Sequence, residues 1–332
     1  MILIRADANE QIGTGHVMRC RSIACSFVNH GEEVLFVTAD HKGDKLIGGI
    51  PSVCLDSVWD NMGLEVEKLK FLVKERKATL LLIDSYYITE DYINALSEQV
   101  QIAYIDDLNA SCWNIDFLIN YNIFSYVFDY SKYQRSKTKF LLGPQYAPLR
   151  TEFMNLPEFN IRHVTNILVS AGGADPEHII EKMMEQICPK NPDIKFHFIV
   201  GALNPRLENI KEMKRKNIVL HINEKNMARL MMKCDVAISA AGTTLYELCA
   251  VGIPTVTYTL ADNQLVAADQ FDKQGIMISV GDCRGDLNFI SGVEKVMDEL
   301  TQDSDKRREL SYKMKQLVDG NGASRIVEAI CR

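Results

Sequence analysis

The sequence lacks any long hydrophobic run, which argues against a helical membrane protein. No apolar stretch approaches the roughly 18 residues that mark a candidate spanning helix. Arg5 and Asp7 stand where the apolar core of a secretory signal peptide would lie, so no such peptide is predicted. We therefore expect a soluble, cytoplasmic protein that does not insert into membranes.

The chain also lacks an excess of positive charge. Its 37 Lys and Arg residues are outnumbered by 44 Asp and Glu residues, and the net charge is −7 at pH 7. A nucleic-acid-binding domain normally carries a basic face or run. The densest basic stretch, residues 211–216, is broken by an acidic and an apolar residue and is typical of a solvated helix. Nucleic acid is not a predicted partner.

Paired cysteines and metal-ligand spacings are missing as well. The nine cysteines are scattered and never form a Cys-x-x-Cys pair, a pattern typical of reduced cytosolic thiols. The histidines outside position 16 show no spacing that favours zinc. We predict no metal and no cofactor.

Two familiar nucleotide-binding motifs are incomplete. Residues 13–16, Gly-Thr-Gly-His, begin like a dinucleotide-binding fingerprint, but Met18 stands where its third glycine belongs. No Gly-Lys-Ser/Thr follows, so the sequence does not form a Walker A loop either. Hydride transfer and P-loop chemistry are therefore disfavoured.

What is present is an α/β rhythm long enough for two domains. The 332 residues, 47% hydrophobic and 24% charged, are typical of a globular protein with roughly two domains. Several strand candidates are continuously apolar, which favours parallel sheets covered on both faces. We predict an N-terminal Rossmann-like domain (1–150), a C-terminal Rossmann-like domain (151–305) and a helical tail (306–332) that packs back on the first domain. The predicted strands are 2–6, 33–38, 79–84, 102–106, 117–120, 140–142, 166–170, 195–200, 218–221, 236–239 and 255–259.

The most informative motif follows the strand 236–239. The chain turns at Gly242 and opens a helix at Thr243 and Thr244, with Glu247 one turn further. Glycine lets a ligand approach the backbone, and the free N–H groups of a helix N-terminus favour an anion. Glu247 is placed to accept hydrogen bonds from ribose hydroxyls. The pattern predicts a nucleotide site, although an ordinary βαβ corner has the same outline.

A second glycine turn follows the strand 166–170. Gly172 and Gly173 precede Asp175, a favourable N-cap, and a helix is predicted to begin near Pro176. Ligands of parallel sheets bind at the carboxyl ends of strands. We therefore predict a diphosphate at the two glycines and ribose at Glu247. The amides of Asn263 and Gln264, after the strand 255–259, are candidates for the same ligand.

The first strand leads into the turn that carries His16. Asp7 ends this strand, and Gly13 and Gly15 precede the histidine at the start of a helix. The positive end of a helix dipole disfavours imidazolium, so we expect His16 to be largely neutral near pH 7 and able to act as a base. A nearby Asp7 would act in the opposite direction, and a structural cap is the alternative interpretation.

Polar residues also end two later strands of the first domain. Asp84, Ser85 and Tyr86 follow one, and Asp106 and Asp107 follow another. Asp and Ser are favoured in turns because they hydrogen-bond the local backbone. Taken singly, these residues are interpreted as structural turns.

Eight blocks in this order resemble the UDP-sugar hydrolases of pseudaminic acid biosynthesis. They extend from residue 4 to residue 254, and the similarity as a whole covers about 1–280. The second half also resembles the bacterial transferase that adds GlcNAc to lipid I, a protein of the GT-B type with two Rossmann-like domains facing across a cleft. The blocks are Ile-Arg-Ala-Asp (4–7), Gly-Thr-Gly-His (13–16), Ile-Asp-Ser-Tyr (83–86), Ile-Asp-Asp-Leu (105–108), Leu-Gly-Pro-Gln-Tyr-Ala-Pro-Leu-Arg (142–150), Ser-Ala-Gly-Gly-Ala-Asp-Pro (170–176), Ala-Gly-Thr-Thr-Leu-Tyr-Glu (241–247) and Glu-Leu-Cys-Ala-Val-Gly-Ile-Pro (247–254).

The resemblance implies hydrolysis of UDP-2,4-diacetamido-2,4,6-trideoxy-β-L-altropyranose to the free sugar and UDP. It assigns His16 as the base that activates water, with inversion at the anomeric carbon, and Tyr86 as a residue that holds sugar or water. Helix N-termini would stabilise the leaving diphosphate without a divalent metal. The partners implied are the UDP-sugar substrate and the UDP product.

Two alternatives remain open at this point. A GT-B glycosyltransferase would use His16 to activate an acceptor hydroxyl in place of water. A catalytically inactive protein that binds nucleotide sugars is the other possibility, and the retention of both His16 and Glu247 argues against it.

Overall fold

The structure is a computed structural model, and it describes residues 1–133, 137–173, 175–201 and 204–332. The chain divides into two compact units. Unit 1 contains Met1–Thr151 and Asn321–Arg332, and unit 2 contains Glu152–Gly320. Each is a parallel α/β unit, as the sequence predicts.

Unit 1 is built on a seven-stranded sheet in which every described pairing is parallel. The strand order is β3-β2-β1-β4-β5-β6-β7, so β1 and β4 lie side by side at the centre. The strands are β1 (Ile2–Ala6), β2 (Val34–Thr38), β3 (Ser52–Cys54), β4 (Leu80–Asp84), β5 (Gln101–Ile105), β6 (Phe117–Asn120) and β7 (Lys139–Leu142), and the helices are α1 (Gly15–Asn29), α2 (Asp44–Ile47), α3 (Val66–Glu75) and α4 (Glu90–Ser97).

The central strands form because most of their residues are apolar, the exceptions being Arg5 in β1 and Asp84 at the end of β4. Every residue of β1 and β4 is buried, which matches a parallel sheet covered on both faces. Helix α1 follows β1 and buries Val17, Cys20, Ala24 and Phe27, which repeat at helical spacing. This crossover places the start of α1 at the carboxyl ends of the central strands.

Unit 2 repeats the architecture with six strands in the order β10-β9-β8-β11-β12-β13, again parallel. The strands are β8 (Asn166–Ser170), β9 (Lys195–Val200), β10 (Ile218–Ile222), β11 (Val236–Ala240), β12 (Thr255–Thr259) and β13 (Ile278–Asp282), and the helices are α5 (Ile179–Gln186), α6 (Leu207–Glu212), α7 (Met227–Met231), α8 (Thr244–Val251), α9 (Asp262–Lys273), α10 (Phe289–Gln302) and α11 (Ser304–Leu317).

The last helix, α12 (Gly322–Cys331), belongs to unit 1, whereas α11 belongs to unit 2. Helix α12 packs on α1, and the hydroxyls of Ser26 and Ser324 lie 3.4 Å apart. Close packing requires glycine at its first residue, because a Cβ on Gly322 would lie 2.2 Å from the carbonyl oxygen of Ala147.

The structure contains two edge strands that were not predicted from the sequence. Strand β3 is short, and Ser52 is exposed. Strand β13 contains glycine and aspartate and is only partly buried. An edge strand has one neighbour and less burial, so its sequence need not be continuously apolar, and the signal that identified the central strands is missing.

No helix in the described part of the chain is long and apolar enough to span a bilayer.

A buried ion pair braces β1. Arg5 and Glu65 are both fully buried, and Glu65 accepts hydrogen bonds from Arg5 Nε (2.7 Å), Arg5 Nη2 (2.9 Å) and the Tyr92 hydroxyl (3.0 Å). We expect Glu65→Gln to lower the free energy of unfolding by about 3 kcal/mol, because it leaves a buried guanidinium incompletely paired. Urea denaturation measures this loss. Glu67→Gln, at a side chain 86% exposed, is the control and should leave stability unchanged; equal effects of the two variants would contradict the prediction.

Candidate active site

A pocket opens in unit 1 at the carboxyl ends of β1 and β4. These strands pair directly, with Ala6 opposite Asp84, so the loops that follow them meet. This is the position at which parallel sheets bind ligands. The pocket is lined by Asp7, Ile12, His16, Trp59, Asp84, Ser85, Tyr86 and Tyr87.

His16 is the second residue of α1, and its imidazole is held by a carboxylate. The His16 Nδ1 lies 2.7 Å from Asp84 Oδ1, and both side chains are buried. Because a carboxylate accepts a hydrogen bond, this contact fixes the proton on Nδ1 and leaves Nε2 as the basic nitrogen. Gly13, with a φ of +73°, makes the tight turn that brings the chain from β1 into the helix. Gly15 is the first residue of α1.

Asp84 is in turn clamped by Arg19. Arg19 Nε donates to Asp84 Oδ2 at 2.5 Å, and Arg19 Nη2 donates to Oδ1 at 2.6 Å. Burial acts to raise the pKa of the Asp84 carboxyl, but Arg19 and His16 together lower it below its usual range. Asp84 therefore stays ionised and continues to accept the hydrogen bond from His16.

Tyr86 forms one wall of the pocket. Its ring meets the imidazole of His16 edge to face, with centroids 4.7 Å apart. The hydroxyl donates to Asp107 Oδ2 at 2.9 Å. Burial and the negative charge of Asp107 raise the pKa of Tyr86, so the phenol remains protonated and donates to this carboxylate at neutral pH.

Asp7 also lines the pocket, and its carboxylate is fixed in place by two hydrogen bonds. One oxygen accepts from the backbone N–H of Ala39 at 2.7 Å, and the other accepts from Arg5 Nη1 at 2.5 Å. Asp7 is 7% exposed and lines the pocket with His16. A carboxylate held in this way can accept a hydrogen bond from a ligand without rearranging.

The sequence-based interpretation of Asp84 as a turn residue misses its contact with His16. Asp106 does hydrogen-bond its local backbone, accepting from the N–H groups of Leu108 (3.0 Å) and Asn109 (2.8 Å). Asp84 contacts His16 and Arg19 instead. The available signal was its place at the end of a buried strand, but only the strand order shows that this strand lies next to β1.

The glycine turns of unit 2 lie at neighbouring strand ends. Strands β8 and β11 pair directly, so the turns at Gly172, Gly173 and Gly242 occupy one edge of the sheet. A Cβ added at any of these three glycines would meet no atom within 4 Å. At Gly201, by contrast, a Cβ would lie 2.7 Å from the Gly173 carbonyl oxygen. The space beside the first three glycines is therefore open. Ala174 of this turn lies outside the described residues.

Helix α8 begins where the sequence predicts. Thr243 precedes it, Thr244 is its first residue, and Glu247 lies in its first turn, partly buried. Thr243 is exposed, as is Asn263 in the first turn of α9. The side-chain oxygen of Gln264 accepts from the N–H of Leu260 at 2.9 Å, so this oxygen stabilises its own loop.

The predicted start of the helix near Pro176 is wrong, because α5 begins at Ile179. Asp175 and His178 adopt left-handed backbone conformations, with φ of 45° and 56°, and the chain makes an extra turn before the helix. The Asp175 carboxylate accepts from the N–H groups of Ile179 and Ile180, each at 2.9 Å. These amides at the start of α5 are occupied by the protein itself, which removes them as donors to a diphosphate.

The fold also brings together residues that sequence spacing does not connect. Ligand atoms of His41, Cys54 and Asp56 lie within 4.8 Å of one another, as do those of a second group, His30, Glu32 and Cys331. None of these six residues lines the pocket.

Comparison with known families adds a second line of observation. Residues 166–328 match the glycosyltransferase family 28 C-terminal domain. The chain is 28% identical over 279 residues to the UDP-2,4-diacetamido-2,4,6-trideoxy-beta-L-altropyranose hydrolase of Campylobacter jejuni, covering 82% of this chain and 97% of that protein. The resemblance to the UDP-sugar hydrolases is confirmed.

Other relatives are named less specifically. The spore coat polysaccharide biosynthesis protein SpsG of Bacillus subtilis is 26% identical over 351 residues, with 97% of this chain and 95% of SpsG covered. The uncharacterized protein MJ1062 of Methanocaldococcus jannaschii is 26% identical over 291 residues, with 82% of this chain and only 58% of that protein covered.

A solved structure confirms the fold class. The crystal structure of Acinetobacter baumannii MurG superposes with a TM-score of 0.71 at 13% identity, covering 99% of each chain. At this identity the similarity concerns the fold alone. Two parallel α/β units with glycosyltransferase structures as neighbours are what the GT-B prediction requires.

Proposed function

We propose that this protein hydrolyses a UDP-linked 2,4-diacetamido-2,4,6-trideoxy sugar to UDP and the free sugar, as a step in pseudaminic acid or related surface-polysaccharide biosynthesis. The observation that carries the proposal is the buried His16–Asp84 pair, 2.7 Å apart, on the wall of the unit 1 pocket. A histidine whose Nδ1 is held by a carboxylate is suited to general-base catalysis through Nε2. The C. jejuni relative is named for this hydrolysis.

The proposed reaction is a single displacement at the anomeric carbon. His16 Nε2 takes a proton from water while the water oxygen forms a bond to that carbon. The bond between the carbon and the β-phosphate oxygen breaks, and its electron pair leaves with UDP. Attack opposite the leaving group inverts the configuration. Asp7 and Tyr86, which line the pocket, are proposed to contact the sugar.

We place UDP at the glycine turns of unit 2. The support is the open space beside Gly172, Gly173 and Gly242 and the N-terminus of α8 at Thr243 and Thr244. The positive end of this helix would stabilise the charge that develops on the diphosphate, so the proposal needs no divalent metal. The amides of Ile179 and Ile180 at the start of α5 take no part, because Asp175 already caps them.

Two further predicted contacts and the compartment complete the proposal. Asn263 and Gln264, at the start of α9, remain candidates for contact with the nucleotide. In Gln264 the group available for this is the amide nitrogen, since the oxygen accepts from Leu260. We place the reaction in the cytoplasm, where free thiols such as the nine cysteines of this chain persist.

Replacing Glu247 tests the nucleotide site. We expect Glu247→Ala to weaken UDP binding about 10- to 100-fold, because a hydrogen bond to a charged group contributes about 1.5–3 kcal/mol. Isothermal titration calorimetry with UDP measures the change. Glu185→Ala, at an exposed position of α5, is the control. Wild-type affinity in Glu247→Ala would place the ribose elsewhere.

The proposed reaction is tested with a panel of UDP-amino sugars, without an acceptor and with EDTA present. Release of UDP together with free sugar of inverted configuration, followed by NMR, is the expected result. UDP binding without release until an acceptor is added would replace the hydrolase by a glycosyltransferase. Loss of activity in EDTA that returns with a divalent cation would overturn the metal-independent mechanism.

A further inference from the structure

Arg19 is a largely buried cation of the unit 1 site, and the mechanism above gives it no role. It lies one helical turn after His16 on α1, and 9% of its side chain is exposed. The guanidinium meets two carboxylates. Two of its nitrogens bind Asp84, and Nη1 lies 2.7 Å from Asp107 Oδ2 and 2.8 Å from the hydroxyl of Tyr121.

Each of these carboxylates holds a different wall of the pocket. Asp84 orients the imidazole of His16, whereas Asp107 accepts the hydroxyl proton of Tyr86 in a hydrogen bond. The rings of His16 and Tyr86 contact each other edge to face. The two side chains are therefore linked directly, and also indirectly through the guanidinium of Arg19 and its two carboxylates. Displacing Arg19 would release both carboxylates together.

We propose that Arg19 is a positioning residue that fixes the base His16 and the pocket wall Tyr86 relative to each other by clamping Asp84 and Asp107. The inference rests on the proposed hydrolase function. Arginine suits this task because its planar fork makes two parallel hydrogen bonds to Asp84 and retains a third nitrogen for Asp107. The ammonium of lysine is a point charge and cannot reproduce this geometry.

Arg19 also contributes to the charge balance around His16. The groups around the imidazole are Asp84 on β4, Tyr86 after it, Arg19 on α1 and Asp7, which also lines the pocket. Arg19 Nη2 lies 3.2 Å from His16 Nδ1. A neutral residue at position 19 would leave the charge of Asp84 uncompensated.

Two variants of Arg19 test its positioning role through their effects on kcat and KM. We expect Arg19→Gln to lower kcat about 100-fold with KM changed less than about threefold, because the base is misplaced while UDP still binds. Arg19→Lys keeps the charge but loses the two parallel hydrogen bonds to Asp84, so it should also lower kcat with little change in KM.

Arg21→Lys is the matched control, since Arg21 lies on the same helix and donates to the Leu46 carbonyl rather than to a pocket residue. It should behave as wild type. Wild-type kcat in Arg19→Gln, or a change in KM as large as the change in kcat, would overturn the inference. If Arg19→Gln does not fold, which circular dichroism would show, Arg19→Lys replaces it: a lowered kcat with KM nearly unchanged supports the inference, and wild-type kcat overturns it.

A substrate-free measurement separates this inference from the proposed function. The Nδ1–H proton resonance of His16, assigned by its absence in His16→Asn, is recorded by NMR in wild type and in Arg19→Gln. A shifted or exchange-broadened resonance in the variant supports the positioning role of Arg19 even if no UDP-sugar is hydrolysed. An unchanged resonance refutes it even if the hydrolase assay succeeds.

Discussion

Replacement of His16 by asparagine is expected to lower kcat about 1,000-fold, the middle of the range for loss of a general base. Asparagine keeps a polar group that can reach Asp84 but has no basic nitrogen to accept the proton of water. UDP affinity should be unchanged, because the predicted nucleotide residues lie in unit 2 and His16 lies in unit 1. Stopped assays of UDP release and calorimetry of UDP binding measure the two quantities.

The matched control for this variant is His30→Asn. His30 is the exposed residue that follows the last turn of the same helix and does not line the pocket. It should retain wild-type turnover. If His16→Asn kept more than a tenth of the wild-type kcat, general-base catalysis by this residue would be disproved. A parallel loss of UDP affinity would show instead that the nucleotide contacts this part of unit 1.

Replacement of Asp84 by asparagine is expected to have the second-largest effect, with kcat lowered about 100- to 1,000-fold. The new amide can donate a hydrogen bond to His16 Nδ1, which places the ring proton on Nε2 and removes the basic lone pair from the pocket. The same change removes the carboxylate that accepts hydrogen bonds from two nitrogens of Arg19, so thermal stability should also fall.

Asp106→Asn separates catalysis from stability. Asp106 is as deeply buried as Asp84 and directly follows the adjoining strand β5, but it accepts from the backbone N–H groups of Leu108 and Asn109, which an asparagine oxygen can also do. This variant should keep turnover close to wild type. Equal losses of kcat in the two variants would indicate that burial of a carboxylate, rather than its contact with His16, explains the effect.

The amino-acid sequence determined the central part of the fold. Residues 2–6 and 236–239 are apolar except for Arg5 and Ser239, which suffices to predict buried parallel strands. It also located Glu247 one turn into α8, because glycine and two threonines mark a helix start within a few residues. Strand β13 was not predicted, because a strand at the edge of a sheet need not be continuously apolar.

Only the tertiary structure decided which polar residues act together. Asp84 lies 68 positions after His16, and their contact exists because β4 is the neighbour of β1 in the sheet. Asp107 meets Arg19 for the same kind of reason, through β5. At the second glycine turn, the sequence predicted a helix N-terminus that would bind a ligand, but the carboxylate of Asp175 accepts a hydrogen bond from the first amide of this helix instead. Local patterns fix helices, strands and turns because these depend on near neighbours in the chain, whereas a site depends on the order in which the strands pair.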